Sequence, residues 1–586
     1  MAHIAQAASP IATLKARALP IALVGAIVAL VIAAFGLFIV QQLQRPYLYD
    51  DVSFTVAAEA VARIGIPFAN AGYMGDRYDF SKREQWALWH PPLYIYALGL
   101  WYTLLGVSEP IGRAFGIACT LLSAGMVGYL GRRLAEPSTA MLTGLVAFAL
   151  FLLNPLSVQS ALVLDIDGTV LLVFVTLLTL LYVKHVQSPA RWDIPVLTLV
   201  FALALWSKMT TPLGVLFAML GYRLVERRPL LGLREAAVVG LGGAALFLSS
   251  YTLVVVMNRM PWDYPFVTLW QEFTDASEST RQWRESFEKF ITAVSPVAWW
   301  ISPGFLVLGL AALPLRIRDI IQARRAHPID VILILAVGIY AVYLIKLAGF
   351  FPKYHITALP FLSLASAWVV GRTVGAVRRV DLLAWGLALI IFSLYFWRVP
   401  AEWYQELFGP LDTLLLIRPL MLSLIVLGLV YIIAGGTIGR HLAMIVVTLV
   451  LGWSLGMDWR QSRADFSTNY WYGTHGQRET AAYLDTVVSP DEFWGGAKEV
   501  AYYAQNQNYI DQDAIHYWIE TYGGFTNEPL SGHQPRVLAA WTGHSYISWL
   551  FHHVLANEYE PIAEIGTYTV LIRREVARDL DNAAAD

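Results

Sequence analysis

The stretch "HPPLYIYALGLWYTLLGVSEP", His90–Pro110, decides the topology of this chain. It is apolar enough to cross a membrane, and counting it as a span would reverse the side of every helix after it. The distribution of Lys and Arg arbitrates, because short cytoplasmic loops collect those residues. If His90–Pro110 stays on the outer side, Arg132/Arg133, Lys184/Arg191, Arg223/Arg227/Arg228/Arg234, Arg316/Arg318/Arg324/Arg325, Arg372/Arg378/Arg379 and Arg440 all fall inside, with Lys15 and Arg17. If it spans, all but the N-terminal pair fall outside. The first arrangement is the consistent one. His90–Pro110 then reads as a juxtamembrane or re-entrant element on the outer face, with Tyr94, Tyr96, Trp101 and Tyr102 suited to the interface.

The rest of the chain supports a polytopic membrane protein. Of its 586 residues 57% are hydrophobic and only 14% charged, against about 25% in ordinary soluble proteins; the mean hydropathy is +0.54. The lone Cys119 excludes an intrachain disulfide framework. The first apolar run, Leu19–Val40, is long enough to span and lacks a small-residue cleavage site, so it reads as a retained helix. Further apolar stretches are Arg113–Tyr129, Ala140–Leu156, Val170–Tyr182, Pro195–Trp206, Leu213–Leu224, Ala236–Val256, Val297–Leu315, Val331–Lys346, Ile356–Val370, Leu382–Phe396, Leu414–Ile433 and Leu442–Gly456. The expectation is an all-α bundle of about 13 transmembrane helices over residues 1–457, with long outer loops at 41–110 and 258–296.

From Asp458 the composition turns polar. "RETAAYLDTVV" has the pattern of a short amphipathic helix, and "EPIAEIGTYTVLIRR" that of alternating strands around a Gly turn. Residues 458–586 therefore read as a small soluble α/β domain outside the membrane. It carries 18 Asp+Glu against 8 Lys+Arg, so attraction to nucleic acid or another polyanion is not its means of binding.

The residues able to carry chemistry collect at outer helix ends. Asp50 and Asp51 follow the first span and open a stretch in which Phe54, Ala57, Val61 and Ile64 form one apolar stripe at helical spacing, with Glu59 and Arg63 on a polar side. Asp165 and Asp167 lie in "SALVLDIDGTV", a short outer loop. Both pairs have a plain reading as helix caps that favour the dipole, and spacing does not separate that role from a catalytic one. Lys208, Lys353, His355 and Arg113 are cations at outer ends, against the positive-inside bias; such cations either reach lipid phosphate or pair with acids and ligands.

Four stretches together resemble the C-type glycosyltransferases, the polytopic enzymes that use polyprenyl-phosphate sugars, with protein O-mannosyltransferase-like enzymes and lipid A aminoarabinose or galacturonic acid transferases as the nearest groups. These are "YDD" before an amphipathic helix, "HPPLYIYALGLWYTLLGVSEPIGRAFG", "ALALWSKMTTP" and "PKYHITALPFL". The pair is Asp-Asp here where the family has Asp-Glu, and Lys208 is followed by Met-Thr where Gly-Pro is frequent. The resemblance covers residues 15–457 well and the tail in outline. It implies an inverting transfer of a sugar from a polyprenyl-phosphate donor to an extracytoplasmic acceptor: lipid A or lipopolysaccharide, polysaccharide, protein or lipid. It places the enzyme in the cytoplasmic membrane with its site on the periplasmic face.

A lipid phosphate is already a good leaving group, so the chemistry calls for cations to meet its charge and one carboxylate to deprotonate the acceptor. The resemblance gives Asp50 and Asp51 to catalysis, Asp165, Asp167 and His90 to acceptor or sugar contacts, and Lys208, Lys353, Tyr354 and Arg113 to the lipid phosphate. Some relatives use a divalent cation, but no tight ligand cluster marks one here, and His552 and His553 point apart on a helix. The competing class is a transporter or flippase of a lipid-linked sugar. It would favour internal two-fold repetition and charges at mid-membrane, whereas the acids here lie mostly at one surface.

Overall fold

A computed structural model describes residues 10–40, 42–48, 50–67, 91–258, 303–323, 325–339, 352–375, 475–490, 492–512, 534–541 and 558–577, with a few isolated positions between them. Helix α1, Pro10–Val40, is apolar around its circumference over Ala22–Val40 and leaves Leu23, Leu30 and Leu37 exposed, as a lipid-facing span does. After it come α2 (Asp50–Ile64), α3 (Leu93–Leu105) and α4 (Glu109–Leu134). The start of α4 is set by local chemistry: Ser108 caps it, its hydroxyl accepting from Ile111 N–H at 3.4 Å, and Pro110 occupies the first turn. Arg132 and Arg133 close it, complementing the dipole.

The expected span at Ala140–Leu156 is two helices, α5 (Ala140–Leu152) and α6 (Pro155–Leu162), bent by 56° at the break. Pro155 has no N–H to continue α5, and the Asn154 side chain caps α6 by accepting from Leu156 N–H at 2.9 Å. There follow α7 (Val170–Gln187), α8 (Asp193–Leu205), α9 (Leu213–Val225) and α10 (Pro229–Met257). Among the described residues five helices are long and apolar enough to cross a membrane, six if the bent pair counts as one. The chain is thus a multi-pass membrane protein. α3, α8 and α9 are 13 residues each, about 20 Å at 1.5 Å per residue, short of a hydrocarbon core of roughly 30 Å.

Beyond α10, the expected Val297–Leu315 span is described as a helix over Pro303–Ala323. Val331–Lys346 is described as Ile329–Leu333 running into a π-helix, Ile334–Ile339. Ile356–Val370 becomes a 3₁₀ turn, Pro352–Ala358, continuing as helix Leu359–Gly375. The expected spans Leu382–Phe396 and Leu414–Ile433 lie outside the described residues, as does nearly all of Leu442–Gly456, most of the loop between α2 and α3, and most of the loop after α10.

The polar tail contains helix Gln477–Val487 and a five-stranded sheet of order β2-β1-β3-β5-β4. Here β1 is Trp494–Gly496, β2 Tyr509–Asp511, β3 Val537–Trp541, β4 Tyr559–Ile565 and β5 Tyr568–Arg573. β1 runs parallel to β2 and β3, while β3-β5 and β4-β5 are antiparallel. The strand pair read from "EPIAEIGTYTVLIRR" is the β4–β5 hairpin, and β5 lays Tyr568, Val570 and Ile572 into the tail's core.

One expectation for His90–Pro110 needs correcting. Tyr94 and Tyr102 are 0% and 2% exposed, so they are packing residues between α2 and α4 rather than interfacial aromatics. Trp101 is half-buried and donates its indole N–H to the Ile111 carbonyl at 2.9 Å. The apolar stripe of α2 is likewise wider than its spacing suggests: Phe54 and Ala57 are buried, but so are Val52, Thr55 and Ala58, while Ile64 is exposed. α3 lies against the helix there and covers more than one stripe.

Candidate active site

Four segments meet at one end of the bundle: the start of α2, the start of α4, the loop between α6 and α7, and the end of α8. The segment Arg45–Leu48 leads into α2, whose first turn carries both Asp50 and Asp51. Asp50 is half-buried. Asp51 is 3% exposed, and its carboxylate reaches away from its own helix. It accepts from Leu164 N–H at 2.7 Å and from Leu48 N–H at 3.4 Å, and lies 3.6 Å from the Arg113 guanidinium. Burial pushes the Asp51 carboxyl above its usual range, while Arg113, Arg45 and the two backbone N–H groups pull the other way. Asp51 is therefore a clamp between two distant segments and not a cap of α2.

Arg113 completes the clamp. The resemblance gives it to the lipid phosphate, yet its side chain is fully enclosed. Its guanidinium donates to the carbonyls of Leu162, Arg45 (2.7 Å) and Pro46 (3.2 Å) and stands 5.3 Å from the Tyr47 ring centroid. A fully buried guanidinium is tolerable only with such partners. Space for this packing comes from Gly112: a Cβ there would lie 2.5 Å from the hydroxyls of both Tyr47 and Tyr102. Those hydroxyls are 3.2 Å apart, and Tyr47 also donates to the Ser108 carbonyl at 3.1 Å.

The loop "VLDIDGT", 163–169, folds tightly over the end of α6. Asp165 accepts from Ile166 N–H at 2.7 Å, and its carbonyl accepts from the Thr169 hydroxyl at 2.5 Å. Gly168 allows the return, because a Cβ there would come within 2.7 Å of the Ser160 Cβ. Asp167 is turned to Lys208, whose ammonium lies 2.9 Å from each carboxylate oxygen. The Lys208 side chain is 13% exposed and that of Asp167 4%. The 3₁₀ turn Pro352–Ala358 packs against α6 and α7, which brings the backbone of Lys353 and Tyr354 toward the same end. The side chains of Lys353 and Tyr354 lie outside the described residues, as do His90, His552 and His553 entirely.

Among the described residues no three His, Cys, Asp or Glu side chains stand close enough to hold a metal ion. Sequence reasoning brought Asp50, Asp51, Asp165, Asp167, Lys208 and Arg113 to this end, but not their pairing. It missed Tyr47 and Glu109, and it read Glu59 only as the partner of Arg63, to which it lies at 3.7 Å. The sequence holds one signal for them: "RPYLYDD" packs two tyrosines directly before the acid pair.

Known proteins resemble this chain in part of its sequence and in its fold. The family model described as dolichyl-phosphate-mannose-protein mannosyltransferase matches residues 89–270, which include α3, the 163–169 loop and Lys208. No curated protein sequence matches. Among solved structures, ArnT from Cupriavidus metallidurans bound to undecaprenyl phosphate is similar with a TM-score of 0.51 and 14% identity, covering 94% of this chain and 98% of that one. The same protein in the apo state gives a TM-score of 0.50 at 13% identity with the same coverage. The archaeal oligosaccharyltransferase AglB from Archaeoglobus fulgidus, in complex with an inhibitory peptide and a dolichol-phosphate, gives 0.48 at 9% identity over 94% of this chain and 74% of that one. The chain thus has the fold of ArnT over nearly its whole length, and the resemblance to the C-type glycosyltransferases read from its sequence holds.

Proposed function

We propose that this protein is an integral-membrane, inverting glycosyltransferase that moves a sugar from a polyprenyl-phosphate donor to an acceptor on the outer face of the cytoplasmic membrane. The observation that carries the reading is convergence. Of the four stretches that resemble the family, two meet through Asp51 and Arg113, and the third joins them through the 163–169 loop, where Asp51 holds Leu164 and Lys208 holds Asp167. The fourth, with Lys353 and Tyr354, belongs to a 3₁₀ turn that packs on α6 and α7. A fold shared with a protein that binds undecaprenyl phosphate supports the donor class.

In this reading the acceptor hydroxyl gives its proton to Asp50, its oxygen bonds to the anomeric carbon, and the bond from that carbon to the phosphate oxygen breaks. Polyprenyl phosphate leaves with one more negative charge. Lys208 and Lys353 meet that charge, with Tyr354 donating a hydrogen bond. Asp167 holds Lys208 in place until the donor arrives, and Asp165 contacts the sugar or acceptor. Asp51 and Arg113 fix the segment that carries Asp50 and do not touch substrate. The acceptor is a glycan, lipid or protein.

The test is Asp50→Asn in a deletion strain, reading by mass spectrometry the sugar increment that the deletion removes from envelope glycolipids or glycoproteins. Loss of a general base typically slows a reaction about 10²–10⁴-fold. The expected result is that loss with normal accumulation and normal binding of undecaprenyl phosphate. A wild-type rate of return of the increment would remove Asp50 from the chemistry.

A further inference from the structure

The tail reaches back to the segment that carries the acid pair. Tyr503, in the turn after the short helix Lys498–Ala501, accepts from Tyr47 N–H at 2.7 Å and donates the same hydroxyl to Glu109 at 3.1 Å. Arg478 lies over the Tyr503 ring at 5.2 Å and donates to Glu109 at 2.6 Å. Tyr502 donates to Glu59 at 2.8 Å and meets the Tyr47 ring edge-on at 5.6 Å. Leu48, two residues before Asp50, is buried in the tail's own core with Leu484, Val500 and Trp541.

The segment Arg45–Leu48 is therefore gripped from two sides. Arg113 holds the Arg45 and Pro46 carbonyls from the bundle, and Tyr503 holds the Tyr47 N–H from the tail. Asp50 lies three residues after the second grip. A general base acts only within hydrogen-bond reach of its proton, and a 1 Å misplacement can cost about 10²-fold. A tail needed only for solubility or for acceptor capture has no reason to bury Leu48 or to bond the backbone of Tyr47.

We propose that the tail is a positioning element of the transfer site, with Tyr503 as the positioning residue that sets Asp50 through the Tyr47 backbone. This rests on the reading of Asp50 as base. The contact makes the C-terminal part a component of the catalytic apparatus, acting through the Tyr47 backbone rather than on the reacting atoms. Glu109 and Glu59 serve as the bundle's docking points, one at the first turn of α4 and one on α2.

Tyr503→Phe keeps the ring and its stacking with Arg478 and removes only the hydroxyl. The full chain carrying it is expressed from an inducible promoter in the deletion strain, and the rate at which the lost sugar increment returns is followed by mass spectrometry. The expected slowing is about tenfold, with binding of undecaprenyl phosphate, used as the probe, unchanged in detergent. A second arm combines Tyr503→Phe with Asp50→Glu, whose longer side chain already displaces the carboxylate. If Tyr503 acts through Asp50, its effect shrinks in that background; residues acting independently would multiply. Should Tyr503→Phe fail to accumulate, Arg478→Gln loosens the same ring from the exposed side and should slow the return about threefold, a part of the same misplacement. A wild-type rate in the variant that accumulates, or an undiminished effect in Asp50→Glu, overturns the positioning role. A wild-type rate in Asp50→Asn would instead overturn the base assignment beneath it, so the two failures are distinguishable.

Discussion

The two ends of the helix bundle both bury charge, but they do so differently. At the end opposite Asp50, His185 bridges Asp193 (3.0 Å) and Glu235 (3.2 Å), and Arg223 makes a two-pronged contact with Glu235 at 2.9 and 2.7 Å and reaches Glu226 at 2.5 Å. Nearby, Arg316 pairs with Asp330 and Arg372 with Asp319, each at 2.5 Å. Those are charge-to-charge contacts between helix ends, and they tie α7, α8, α9 and α10 together. At the Asp50 end Asp167 and Lys208 also pair charge to charge, but Asp51 and Arg113 bond to backbone, Asp51 to N–H groups and Arg113 to carbonyls. Side chains that hold loop backbone fix the position of the loop itself. One end is built to fasten helices, the other to place short segments.

That contrast can be broken by experiment. The largest effect is expected for Arg113→Met, which leaves Asp51 enclosed without its cation and the Arg45 and Pro46 carbonyls without their donor. Removing one partner of a buried pair costs about 3–5 kcal/mol, and transfer by the molecules that remain folded should fall as well, because the segment bearing Asp50 is released. The measurements are thermal unfolding in detergent and return of the sugar increment per folded protein. Normal transfer by the folded fraction would make Arg113 a stability residue only.

Glu235→Ala, at the other end, strips His185 and Arg223 of their shared partner. A stability loss of a similar size, about 3 kcal/mol, is expected, with turnover per folded molecule unchanged. If turnover falls too, the ends are coupled and the comparison fails.

The smallest effect, and the sharpest separation, comes from Lys208. Alone, Lys208→Ala leaves the Asp167 carboxylate buried without its cation, so lost stability and lost phosphate contact are mixed. Pairing it with Asp167→Asn removes the stranded charge. The double variant should recover most of the unfolding midpoint while undecaprenyl phosphate still binds more weakly than to wild type. Full recovery of binding would leave Lys208 as a partner of Asp167 and nothing more.

Much of the local structure was legible in the chain. Alternation around Gly566 reads as the β4–β5 hairpin, whereas α4 runs beyond the expected Arg113–Tyr129 at both ends, from the Ser108 cap to Leu134. The bend at Asn154–Pro155 was readable in principle, since a proline inside an apolar run interrupts the helix ladder. The burial of Tyr94 and Tyr102 was not. An aromatic beside a membrane reads the same whether lipid headgroups or another helix cover it.

By itself the sequence determined that the chain is a multi-pass membrane protein with acids and cations gathered at helix ends, because hydropathy, charge bias and capping are properties of short windows. The tertiary structure alone decided what those charges do. Asp51 meets Leu164 across 113 residues, Arg113 meets Arg45 across 68, and Tyr503 meets Tyr47 across 456. A buried charge is stable only beside its partner, and partners that far apart in the chain are chosen by how the helices pack, which no local pattern encodes.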